Sequence, residues 1–106
     1  MIGYKLFRQR RDGTLGSLFI GKKVRYVASR WYVSASIPTR GYAFRDRFHL
    51  LKAPSAPHLS LKSRKWFKCQ MRGVEELKRP ASQGGLWYLA QEIYIIEEVQ
   101  NAILDR

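Results

Sequence analysis

Four groups of basic residues run through the first two-thirds of the chain: Arg8, Arg10 and Arg11; Lys22, Lys23 and Arg25; Arg40, Arg45 and Arg47; and Lys62, Arg64, Lys65 and Lys68. Tyr26, Tyr42, Phe44 and Trp66 are interleaved with them. Cations hold phosphates, and unpaired bases stack on aromatic faces, so the pattern points to a polyanion-binding surface on which Trp66 or Tyr42 would stack. If the groups converge on one sheet face they form a groove suited to single strands or structured RNA. The plainer account buries each aromatic in the core and scatters the cations; the size of the charge excess decides for binding. No group matches an RRM, KH, zinc-finger or helix-turn-helix pattern, so fold-specific recognition is not indicated.

Other residue types with chemical capacity are sparse. His49 and His58 flank a proline-containing loop and are the only candidates for catalysis, as an acid and base pair or as half a metal site. Ordinary hydrogen-bonded loop histidines account for them more simply, and only Asp46 is near in sequence to complete a ligand set. Gln83-Gly84-Gly85 could bring bare backbone to a phosphate, but it lacks the Lys-Ser/Thr of a P-loop and reads as a turn before a strand. The single cysteine, Cys69, falls on an apolar face and reads as an inert buried thiol. No nucleophilic triad, glycosidase-like carboxylate pair or four-ligand zinc pattern is present, so neither metal nor cofactor is expected and catalysis is the weaker expectation.

The charge has a direction along the chain. Twenty Lys/Arg against eight Asp/Glu give a net +12 over 106 residues. Residues 1–74 carry 17 Lys/Arg against Asp12 and Asp46 alone, whereas residues 75–106 hold six acids against three bases. Packing so much like charge into one domain costs stability by self-repulsion, which a polyanionic partner relieves. Arginine outnumbers lysine 12 to 8, which suits bidentate phosphate contacts. The expected partner is nucleic acid or a nucleoprotein, with an acidic protein surface as the second choice. One cysteine, no apolar h-region at the start and no apolar run near the roughly 20 residues of a membrane span fit a cytoplasmic setting without membrane contact.

These residues need a scaffold. An Asp12-Gly13 between two apolar runs signals a hairpin, with strands expected at 4–10 and 15–20. Val24 to Val27 reads as a short third strand, and 29–36 fits either a strand or a short helix capped by Ser29. Residues 41–51 read as a strand broken at Arg45-Asp46-Arg47, followed by a loop over 52–60. Lys65 to Val74 alternates clearly: Phe67, Cys69 and Met71 on one face, Lys68, Gln70, Arg72 and Trp66 on the other, outward face. Glu75-Glu76-Leu77 could open a helical turn that Pro80 stops. Residues 86–99 fit both periods, and Tyr94-Ile95-Ile96 favours strand. Residues 101–106 read as a short helix or frayed end. The expected fold is a β-rich α+β single domain, with a mainly antiparallel sheet of five or six strands and one or two short helices. Exposed strand edges admit a homodimer.

Several blocks resemble a family of small uncharacterised bacteriophage and prophage proteins: Tyr4-Lys5-Leu6-Phe7-Arg8, the run from Asp12 to Ile20, Gly41-Tyr42-Ala43 with His49, Ala56-Pro57-His58-Leu59, and Arg79-Pro80 with Gln83-Gly84-Gly85 and Trp87 to Ala90. Phe48 stands where the pattern has Trp. The resemblance implies a phage accessory protein in the cytoplasm of a bacterial host, in one of several roles. It would bind nucleic acid or a nucleoprotein, or inhibit a host defence complex by protein contact in the manner of an anti-CRISPR. A more distant likeness, to small ADP-ribosyltransferase-like domains, would put His49 or His58 against a nicotinamide group, without a clear catalytic glutamate.

Overall fold

The computed structural model describes residues 1–18, 24–34, 47–55 and 61–100. Among these residues six strands form one antiparallel sheet: β1 (Ile2–Gln9), β2 (Leu15–Gly16), β3 (Trp31–Val33), β4 (Phe48–Leu51), β5 (Arg64–Lys78) and β6 (Leu86–Val99). β1 pairs with β5 along one edge and with β2 and β4 along the other. β6 pairs with β5 on one side and with β4, then β3, on the other. The ladder β1–β5–β6–β4 therefore returns to β1 through Tyr4 opposite Leu51, and the sheet curls into a small closed ring. Closure gives the sheet an inside and an outside, and both carry apolar residues.

Inside lie Phe7, Phe48, Leu50, Phe67, Cys69, Met71, Tyr88, Ala90, Ile93 and Ile95, joined by Leu15 and Tyr26. Alternation along each strand sends these residues one way and their neighbours the other. Outside, Leu6, Leu51 and Trp66 form a second buried cluster beneath Tyr4, Leu18, Leu61, Trp87 and Val99. A chain of this size cannot fill one large core, and covering the outer face over part of the sheet adds apolar burial.

The long β5–β6 hairpin bends at Gly73. Buried positions on β5 run Phe67, Cys69, Met71, after which the phase shifts to the partly buried Val74; on β6 they run Tyr88, Ala90 and shift to Ile93, Ile95. Gly73 takes φ +64, and a Cβ there would lie 2.6 Å from Gln91 Oε1 and 3.0 Å from Gln91 Cβ. A second irregularity, between Lys68 and Cys69, leaves Ile96 as the extra residue of β6. Both devices coil the ribbon so that it can close. Gly73→Ala is expected to destabilise the protein by about 1–2 kcal/mol, the cost of a side chain in the left-handed region. Thermal unfolding followed by circular dichroism should show a fall of about 5–10 °C; an unchanged midpoint would mean that the bend does not need glycine.

The antiparallel, six-stranded architecture agrees with the sequence-based expectation, but the helices do not. Among the described residues the only helical segment is one 3-10 turn, Ala81–Gln83. Glu75-Glu76-Leu77 opens no helical turn: it extends β5 to Lys78, because Leu77 and Lys78 pair with Trp87 and Leu86 across the hairpin. Residues 29–36 take the strand alternative at Trp31–Val33, and 86–99 is strand throughout. Val24 to Val27 forms no strand; Tyr26 alone bridges to Leu15, and both valines stay exposed. The strands expected at 15–20 and 41–51 are seen as Leu15–Gly16 and Phe48–Leu51, the remainder of each lying mostly outside the described residues, as do 101–106. No helix among the described residues is long and apolar enough to cross a membrane.

Candidate nucleic-acid interface

Two tight turns bring one set of cations together. At the end of β1 the amide of Gly13 donates to the carbonyl of Arg10 (3.1 Å) and the amide of Arg10 donates to the carbonyl of Thr14 (2.9 Å), closing a short loop that needs Gly13 at φ +85. Asp12 secures this loop: its Oδ1 accepts from the Thr14 hydroxyl (2.6 Å) and the Thr14 amide (3.0 Å). The second turn precedes β5, where the amide of Arg64 donates to Leu61 (3.1 Å) and the amide of Gln9 donates to Ser63 (2.9 Å). The register then sets Arg8 directly opposite Arg64. Like charges facing across a ladder are unfavourable, and an anion held between them relieves the repulsion.

Arg11 projects from the first turn and Lys62 from the second, both exposed. The Arg10 guanidinium lies over Gly16 and donates to the carbonyl of Leu15 (2.8 Å). The two backbone bonds between Leu15 and Tyr26 carry Arg25 alongside the loop, where its guanidinium pairs with Asp12 and reaches the Thr14 hydroxyl (3.3 Å). Lys65 completes the group at the rim, 3.5 Å from Glu98. Arg8, Arg10, Arg11, Arg25, Lys62, Arg64 and Lys65 thus share one end of the molecule, where, among the described residues, Asp12 pairs with Arg25 and Glu98 with Lys65. The Thr14 hydroxyl and amide, and then Arg25, hold the Asp12 carboxyl below the usual range, so it stays ionised and structural at neutral pH.

The remaining expected site residues are placed elsewhere. Lys68 lies farther along β5, half-buried between Tyr4 and Glu97 in the register. Arg47 pairs with Glu75 (2.7 Å) beside β4. Trp66 does face outward with Lys68 and Gln70, but it is only 2% exposed, beneath the second apolar cluster, and its ring offers no face to a base. The expectation of an outward, stacking Trp66 is therefore corrected: alternation predicted its side of the sheet, and distant residues of β4, β6 and the connecting loops cover it. Lys22, Lys23, Arg40, Tyr42, Arg45 and His58 lie outside the described residues.

His49 is half-buried, its ring 6.3 Å from that of Trp87 in an edge-on contact. Its carbonyl accepts from Lys5 Nζ (3.1 Å). No group of three or more metal-ligating side chains occurs among the described residues.

Two features escaped the sequence. Lys5 shares the inward-facing side of β1 with Gly3 and Phe7, and burial pulls its amine down to about 8. Cys69 lies diagonally across the β1–β5 ladder from it, its thiol pushed up to about 12 by burial. The period-two pattern Gly3, Lys5, Phe7 was the available signal. Trp31 and Tyr94 are the second feature: they face each other across β3 and β6 with centroids 5.5 Å apart, and the Arg72 guanidinium sits 3.7 Å above the Trp31 ring. Only the β3–β6 register brings them together.

No family model, curated protein or solved structure matches the chain.

Proposed function

We propose that this protein is a non-enzymatic binding module for nucleic acid or a nucleoprotein, which grips phosphates with the basic end formed by β1, the β1–β2 turn and the start of β5. The observation that carries the reading is the meeting of Arg8, Arg10, Arg11, Arg25, Lys62, Arg64 and Lys65, drawn from three separate stretches of sequence, at one end of the sheet. Five of the seven are arginines, whose planar donor forks suit phosphate oxygens. With the resemblance to phage proteins, the reading makes the chain a phage accessory protein acting in the cytoplasm of its bacterial host.

A salt titration tests it. Affinity for a labelled RNA or DNA strand, measured by fluorescence anisotropy, is expected to fall on the order of 100-fold between about 50 and 200 mM salt if about five of the cations engage phosphate. Affinity that does not respond to salt, or the absence of binding at low salt, would refute the proposal.

A further inference from the structure

We infer that the Trp31–Tyr94 platform takes an unpaired nucleobase, so that the polyanion held at the basic end is a single strand rather than a duplex; the inference rests on the nucleic-acid reading above. The platform lies on the outer face of the sheet. Trp31 and Tyr94 are direct cross-strand partners and both are partly exposed. Arg72, exposed, lays its guanidinium plane over Trp31, and Val33, 71% exposed, extends the surface on the far side.

The local charge says which part of a polyanion fits. Arg72 stands opposite Glu92 in the register, and Lys68 stands opposite Glu97. Cations matched by carboxylates make a poor phosphate clamp. What the site presents instead is π surface from two rings and one guanidinium, with carboxylate oxygens nearby that can accept from the exocyclic amine of a base. Stacking on such a surface tolerates any base but requires one that has left its own stack, which a duplex does not supply.

The spacing fits a strand that spans both sites. Arg64 at the basic end and Arg72 beside the platform are eight residues apart on β5, roughly 25 Å at about 3.3 Å per residue. Between them on the outward face Trp66 is covered, and Lys68 stands half-buried opposite Glu97. Phosphates are therefore gripped at one end and a base is stacked at the other, several nucleotides away.

Intrinsic fluorescence reads the inference through the difference between the parent and a Trp31→Phe variant, because Trp66 is buried and Trp87, partly exposed with its indole donating to the carbonyl of Gln83 (2.7 Å), is common to both. The full-length chain is titrated at low salt with an oligothymidylate of about 15 nucleotides and with a blunt duplex of the same length. The single strand is expected to quench the emission and to bind at least about 10-fold more tightly than the duplex. Trp31→Ala and Tyr94→Ala should each weaken single-strand binding roughly 5- to 100-fold and leave duplex binding unchanged. Trp31→Phe, which keeps a ring and the fold, should bind within about fivefold of the parent but lose the quench. Alanine variants that bind the single strand as tightly as the parent, or a duplex that binds equally well, would overturn the inference while leaving the basic end intact as a phosphate site. A parent protein that binds neither probe would overturn the functional reading as well.

Discussion

Replacing both Arg8 and Arg64 with alanine is expected to weaken binding of an RNA or DNA strand about 10- to 100-fold and to lower the salt slope by about one to two. The two residues are direct register partners across the β1–β5 ladder, at the end of the molecule that also carries Arg10, Arg11, Arg25, Lys62 and Lys65. Each charge-assisted contact to phosphate contributes about 1.5–3 kcal/mol, so the loss of two is large even where neighbours partly compensate. Thermal unfolding of the same double variant reads any part the two arginines play in holding the fold. Weaker binding with unchanged stability separates a ligand-contact role from a structural one. A variant with parental affinity and parental salt slope would show that the phosphates lie elsewhere. Changing Arg47, which Glu75 already accompanies far from the basic end, makes the matched control and should shift affinity by less than about threefold.

Lys5→Met is expected to stabilise the protein at neutral pH by about 2–3 kcal/mol, visible as a rise in unfolding midpoint of about 10 °C. The Lys5 amine titrates near 8 in the folded chain because burial disfavours its charged form, against 10.5 for an ordinary lysine. Below about pH 8 both folded and unfolded chains carry the proton, and the full cost of burying the charge is present. Between about 8 and 10.5 the unfolded chain binds the proton and the folded chain has lost it, so the cost fades and stability rises with pH. Cys69 works in the opposite direction at higher pH: its folded thiol keeps its proton to about 12, so ionisation of the unfolded thiol above about 9 draws stability down. Because Cys69 is common to both chains, the gap between Lys5→Met and the parent isolates the lysine. That gap should be widest at pH 7 and should close by about pH 10.5. A variant that is less stable at pH 7, or a gap constant with pH, would mean that the hydrogen bond to the His49 carbonyl outweighs the burial of charge.

Much of the scaffold could be read from local pattern. The Asp12-Gly13 hairpin follows from a glycine that can take positive φ and an aspartate that caps the loop, both set by neighbouring residues. The inward face Phe67, Cys69, Met71 follows from strict alternation. Leu77 shows where local pattern stops: its short-range context suggested a helical turn, yet pairing with Trp87 keeps it in β5. Trp66 shows the same limit for the binding surface. Alternation predicts which side of a strand a residue takes, and whether that side meets water depends on segments far away in the chain. Trp31 and Tyr94, 63 positions apart, share a platform only through the β3–β6 register, which no short window contains.

The amino-acid order alone determined the antiparallel pairing tendency, the hairpin, the period-two core of β5 and the cationic excess of residues 1–74, since each depends on residue type and near-neighbour spacing. Closure of the sheet decided the rest: it set Arg8 against Arg64, drew Arg25 to the same end, drove Lys5 into the interior and buried Trp66 outside it. Those outcomes depend on which distant strands share an edge, and that choice is made by the burial of the whole apolar set at once rather than by any one segment.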